Sequence, residues 1–284
     1  MFLFHIIVPK GFSSCNHLWW TGVEECGEVI LSNLKSFLGF CLFSLLIFVL
    51  LVIISSMSSF SLFDIAGPVM VGPSSSHTAG AAKIGQFARA IYDTTPTKVH
   101  FLLHGSFGEV YKGHATDRAL LGGVMKMPPN DPGIRDAFNI AEKAELAYEF
   151  EPGDLGHGFH PNTVKITLEN EKRKVVIIGS SIGGGNVEIN RINGFDIHLT
   201  GNSAEQFFTL VVENENLPGM LAKTTSFLGE KGIRIVNMQS SFLAGENKVL
   251  SVLSLEKALS LKEILALESE EGIIFVRSLK KLTQ

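Results

Sequence analysis

Phe37 to Ile54 reads FLGFCLFSLLIFVLLVII, a run with no charge and about the minimum apolar length for a membrane-spanning helix. It divides the chain. The residues before it carry only Lys10 and Lys35 against Glu24, Glu25 and Glu28, a poor match to the short basic start of a secretory signal. All three cysteines, Cys15, Cys26 and Cys41, lie within the first 56 residues, as do both tryptophans, Trp19 and Trp20. From Met57 onward the composition becomes that of an ordinary enzyme. Residues 1–56 are therefore predicted to be an N-terminal extension, with 37–54 either a membrane anchor or upstream sequence preceding a start at Met57; the change of composition favours the second.

The remainder has no cysteine, which leaves no thiolate for a structural zinc or an iron-sulfur cluster and no disulfide, and fits a cytoplasmic location. A net charge of -4 with 18% charged residues carries neither the basic footprint of a nucleic-acid binder nor the charge excess of a disordered chain. Small-molecule chemistry is the expectation.

Ile84, Phe87, Ala88 and Ile91 recur at helical spacing behind a Ser-rich segment, with Ser75 or Ser76 placed to cap the helix. Lys98 to His104 alternates as a half-buried strand, helices are predicted over 116–126 and 134–146, and strands over 163–168, 174–179 and 186–192. The mixed order predicts an α+β or α/β domain over 57–200. A linker follows at 201–206. Residues 207–284 read strand, helix, two strands around Ala244 to Glu246, helix, strand: the ferredoxin-like βαββαβ order.

Three polar clusters could carry chemistry. Ser74, Ser75, Ser76, His77 and Thr78 stand at a helix start, where free backbone N–H groups attract anions and hydroxyls can cradle a carboxylate. His114, Thr116 and Asp117 stand at another, where Asp117 could fix an imidazole tautomer. His157 and His160, before Asn162, suggest a metal only weakly, for want of a third ligand. Gly183 to Gly185 lack the flanking residues of a phosphate loop and read as a turn.

Taken in order, GPVMVGPSSSHTAGAAKIG, LLHGSFGEVYKGHATDRALLGG, His160 to Asn162 and SSIGGGNVEI resemble the beta subunit of bacterial iron-sulfur L-serine dehydratase. The run VVENENLPGMLAKTTSFLGEKGIRIVNMQ resembles an ACT domain, whose ligands often sit near the turn formed here by Leu217, Pro218 and Gly219. The resemblance spans about residues 60–279 and departs at Ala115, where the family form is GHGTD. It implies a first domain like the allosteric substrate-binding domain of some phosphoglycerate dehydrogenases. It also implies a four-iron four-sulfur cluster held by a separate alpha subunit, with no metal ligand from this chain. The activity implied is conversion of L-serine to pyruvate and ammonia. His77 and His114 are the implied active-site histidines, with Ser74, Ser75, Ser76, Thr78, Thr116 and Asn162 binding substrate. Self-association through the ACT domain is expected. Two other readings remain open: a non-catalytic serine-sensing module, and a pyridoxal-phosphate dehydratase, for which no lysine motif is present.

Overall fold

The computed structural model describes residues 69–243 and 245–281, all within one compact unit, 61–284. The readings for the N-terminal extension and its apolar run lie outside the described residues. Among those described, no helix is long and apolar enough to cross a membrane.

A π-helical turn, Ser75–Gly80, runs into α1 (Ala81–Tyr92), whose Ile84, Phe87, Ala88 and Ile91 are buried as their spacing predicts. The cap, however, is Ser74 and not Ser75 or Ser76: its hydroxyl accepts the His77 N–H at 3.1 Å. Then come β1 (Lys98–His104), α2 (Ser106–Val110), α3 (Thr116–Val124), a 3-10 turn (Pro132–Asp136), α4 (Ala137–Lys143) and β2 (Ala147–Gly153). The helix expected over 134–146 is thus split, because Asp131 caps a proline-led tight turn through the Gly133 N–H before α4 begins. β3 (Thr163–Asn170), β4 (Arg173–Gly183), β5 (Asn186–Ile192) and β6 (Phe195–Thr200) complete a six-stranded sheet in the order β2-β1-β3-β4-β5-β6. Only β1 and β2 run parallel.

Register explains the core. Val99 faces Leu168, which faces Val175, and Phe101 faces Ile166, which faces Ile177. These rows are buried with α1 and α3 in one cluster, each large side chain contributing about 1.5–3 kcal/mol by leaving water. The two helices cross closely because Gly123 lies against α1: a Cβ there would overlap the Ala82 carbonyl oxygen and come within 3.0 Å of its carbon.

Residues 201–206, read as a linker, form a short helix, α5 (Gly201–Gln206). A second sheet follows from β7 (Phe208–Glu215), α6 (Met220–Glu230), β8 (Ile235–Phe242), β9 (Lys248–Leu255), α7 (Leu261–Glu268) and β10 (Ile273–Leu279). Its strands are antiparallel in the order β10-β7-β9-β8. A capping box between Ser260 and Glu263 starts α7. One face buries Leu210, Val212, Leu253 and Val276 against Leu228 of α6 and Leu267 of α7. Residues of the other face, Val211, Leu250 and Val252, join the core of the first sheet. Gln239 of β8 also accepts the His198 N–H of β6 at 2.9 Å.

Candidate functional site

The Ser74 cap winds the following residues into a tight turn, with the Thr78 N–H donating to Ser74 O at 2.8 Å and Ser74 Oγ standing 3.4 Å from Ser76 Oγ. This turn carries His77 outward and Thr78 inward. Thr78 is fully buried and its hydroxyl donates to the His114 carbonyl at 3.1 Å, tying the loop before α3 to the turn before α1. Two histidines far apart in sequence are thereby brought together, their ring centroids 4.9 Å apart and tilted by 56°.

Both nitrogens of His77 have hydroxyl partners. Nδ1 lies 3.3 Å from Ser76 Oγ and Nε2 3.1 Å from Ser106 Oγ, while Phe107 meets the ring edge-on at a centroid distance of 5.3 Å. Burial, and then the neighbouring His114, hold the His77 imidazole below its usual value, against an opposing hydrogen bond with Ser106. A ring kept neutral has one donor and one acceptor nitrogen, the state a general base requires.

Around this pair lie polar atoms without partners: His114 Nδ1, Thr116 Oγ1 and Ser181 Oγ are buried and make no hydrogen bond. An unpaired buried polar group costs about 1–3 kcal/mol, so a protein keeps such groups where something else is to be bound or where function demands them. Ser181, at the end of β4, is packed so closely on the turn before α1 that a Cβ on Gly80 would overlap its hydroxyl.

Asn162 sits at the entry to β3 with its backbone engaged on both sides: its N–H donates to His160 Nδ1 at 3.1 Å, and its carbonyl accepts the Ser181 N–H at 2.9 Å. The adjoining Pro161 carbonyl accepts the Phe107 N–H at 3.4 Å. These bonds set the Asn162 backbone beside the buried Ser181 and beside α2, which carries Ser106. A cavity of about 400 Å³ opens beside Pro73 and Ala115, walled by Arg118 and Arg135.

Some expectations are corrected. Asp117 does not hold an imidazole: its Oδ1 accepts the Arg118 N–H at 2.8 Å at the start of α3, and burial pushes its carboxyl above the usual range. His157 and His160 are exposed, and among the described residues no three side chains of metal-ligating type come together. The Thr78 hydroxyl, expected to bind substrate, donates to the His114 carbonyl. Leu217, Pro218 and Gly219 lie in the turn between β7 and α6, with Leu217 about half exposed. Ser106 and Ser181 were not singled out from sequence, although both stand inside segments that carry the family resemblance.

Comparison with known proteins gives this geometry a setting. Residues 58–191 match the family described as serine dehydratase beta chain. The chain is 44% identical to the probable L-serine dehydratase beta chain of Bacillus subtilis over 63% of this chain and 79% of that protein. It is 40% identical to the L-serine dehydratase beta chain of Peptoniphilus asaccharolyticus over 69% of this chain and 85% of that protein. L-serine dehydratase 1 of Escherichia coli is 33% identical over 49% of this chain, a match that takes up only 28% of that longer protein. At this identity and coverage, the chain belongs to the serine dehydratase beta-chain family.

Proposed function

We propose that this chain is the beta subunit of an L-serine ammonia-lyase, which converts L-serine to pyruvate and ammonia only when joined to an alpha subunit. The observation that carries the reading is the His77–His114 pair, flanked by buried polar atoms that lack partners. The length of the Escherichia coli relative supports the need for a partner, since most of that protein has no counterpart in this chain.

Serine's hydroxyl is a poor leaving group and its α proton is weakly acidic, so elimination needs help at both places. In this reading the four-iron four-sulfur cluster rests on cysteines of the alpha subunit, in keeping with the cysteine-free sequence after Met57. When bound, it supplies Lewis acidity for the leaving hydroxyl. The work of this chain is to hold and deprotonate the substrate. Ser75, Ser76 and Asn162 line its approach, and Ser74 and Thr78 hold the two loops in place. His77, neutral and oriented by Ser76 and Ser106, and His114, with a free nitrogen, are the groups able to accept the α proton. Loss of water leaves an enamine that tautomerises and hydrolyses to the products.

Residues 57–200 form the catalytic part in this reading and 207–284 an ACT domain. The βαββαβ order and the antiparallel sheet β10-β7-β9-β8 support a ferredoxin-like fold, with Leu217, Pro218 and Gly219 as its ligand turn. The edge strand β8 exposes Val236, Met238 and Phe242, which suits self-association. The cysteine-free sequence after Met57 fits the cytoplasm.

Anaerobic co-expression with a candidate alpha chain, followed by a pyruvate assay, tests the proposal. Activity is expected from the pair and from neither chain alone. His114→Ala should lower turnover on the order of a hundredfold or more while leaving assembly intact. Full turnover after replacement of both His77 and His114 would refute the role of this pocket, and a colourless serine-binding homodimer would favour a sensor.

A further inference from the structure

On the far end of α1 from the histidines, a second cavity of about 340 Å³ lies between that helix and the residues after β10. Its walls carry Arg89, Lys126, Lys280 and Lys281 against a single carboxylate, Asp93. Part of this charge has a local explanation. Helix C-termini attract cations, and Arg89 serves α1 in that way, with Nη1 donating to the Asp93 carbonyl at 2.7 Å. Lys126 stands just past the end of α3, but its amine, like that of Lys280, forms no ion pair with any described residue. Lys280 and Lys281 follow a strand and have no helix end to serve; Lys281 lies over the Phe208 ring at 5.2 Å, which leaves Lys126 and Lys280 as the cations without a partner among the described residues.

The one acid in the wall, Asp93, is shared between Arg89 and a guanidinium outside it. Asp93 Oδ2 lies 4.0 Å from Arg277 Nε, so its charge is shared with a guanidinium that does not line the cavity. Gln86, also in the wall, buries its terminal amide oxygen without a hydrogen-bond partner. Uncompensated positive charge and room for a molecule of metabolite size together describe an anion site.

We infer that the cleft between α1 and the residues after β10 binds a small oxyanion of two or more negative charges, either a phosphate or a polycarboxylate. Such a ligand joins the helix that carries the Ser74–Thr78 turn to the end of the second sheet, and so grips both halves of the molecule at once. The inference does not depend on the dehydratase reading, because binding can be measured without turnover.

The test is calorimetric titration and thermal unfolding of the full chain with inorganic phosphate and, separately, with citrate, at ionic strength held constant with sodium chloride. One saturable site per chain is expected for at least one probe, with a matching rise in melting temperature. Preference for one probe identifies the chemical source. Lys126→Gln combined with Lys280→Gln, both at exposed positions, should weaken that binding on the order of tenfold per lysine while leaving the anion-free melting temperature close to that of the parent. No saturable binding of either probe, an equal thermal shift from sodium chloride alone, or unchanged affinity in the double variant would each overturn it.

Discussion

Ala115 occupies left-handed backbone, φ 56° and ψ 27°, between His114 and the start of α3. The resemblance read in the sequence expects glycine there, and the cost of the departure follows from geometry. In that region an L side chain sets its Cβ against the following carbonyl, at about 1–2 kcal/mol. Ala115→Gly removes this repulsion but gives the unfolded chain more freedom, which returns about 0.4–1 kcal/mol. The balance is a stabilisation of about 1 kcal/mol, or a rise in melting temperature of about 2–4 °C for a unit of this size. Ala115→Val should move the other way by more than that, since a branched Cβ fits the left-handed region worst. Urea and thermal unfolding of the three full chains measure both shifts. A lower midpoint for the glycine variant would show that the Ala115 methyl group contributes more by packing than its backbone loses by strain, and the reasoning would fail.

Further outcomes are expected from the packing and the charges. Gly123→Ala should destabilise by more than 2 kcal/mol in urea unfolding, because the added methyl meets backbone of α1, which has no rotamer to turn away; a near-parental midpoint would contradict the close crossing. Gly80→Ala should also destabilise, but Ser181→Gly in the same chain should recover much of the loss, since the obstacle is a side chain. Because the folded imidazole of His77 sits below 6.5, the unfolded chain binds more protons between the folded value and 6.5. Stability should therefore fall as pH drops through 6.5 and level off below the folded value, and His77→Gln should flatten that slope in urea midpoints taken from pH 7.5 to 5.

Elements with a strong apolar period were readable before any coordinates: α1, β1, β3 and the whole strand and helix series after residue 207 stand close to where their patterns put them. The strand β2, AYEFEPG, was not, because it lies at a sheet edge with most of its residues exposed and shows no clean alternation. The helix α2 is only five residues long, too short to show a period. The helix inside the linker at 201–206 was not legible for the same reason, since six polar and small residues make a short helix that tertiary packing decides. At the site, each loop could be picked out by its hydroxyls and imidazole. Their meeting could not, because it depends on the α1–α3 crossing and on the Thr78–His114 tie, both long-range facts. Asp117, three residues after His114, spends its carboxylate on the Arg118 N–H at its own helix start and not on the ring. Ser106 and Ser181 are single hydroxyls whose importance arises only from what stands opposite them.

The apolar face that Val211, Leu250 and Val252 turn toward the first sheet has a consequence for how the molecule comes apart. With a core shared in this way, neither sheet can melt without wetting the other, so the described unit should denature in one cooperative step and a gene cut near residue 200 should yield aggregating fragments in place of two working pieces. For the same reason a signal received on the second sheet cannot travel as a loose swing about a hinge; it must arrive as a repacking of side chains felt throughout the interior.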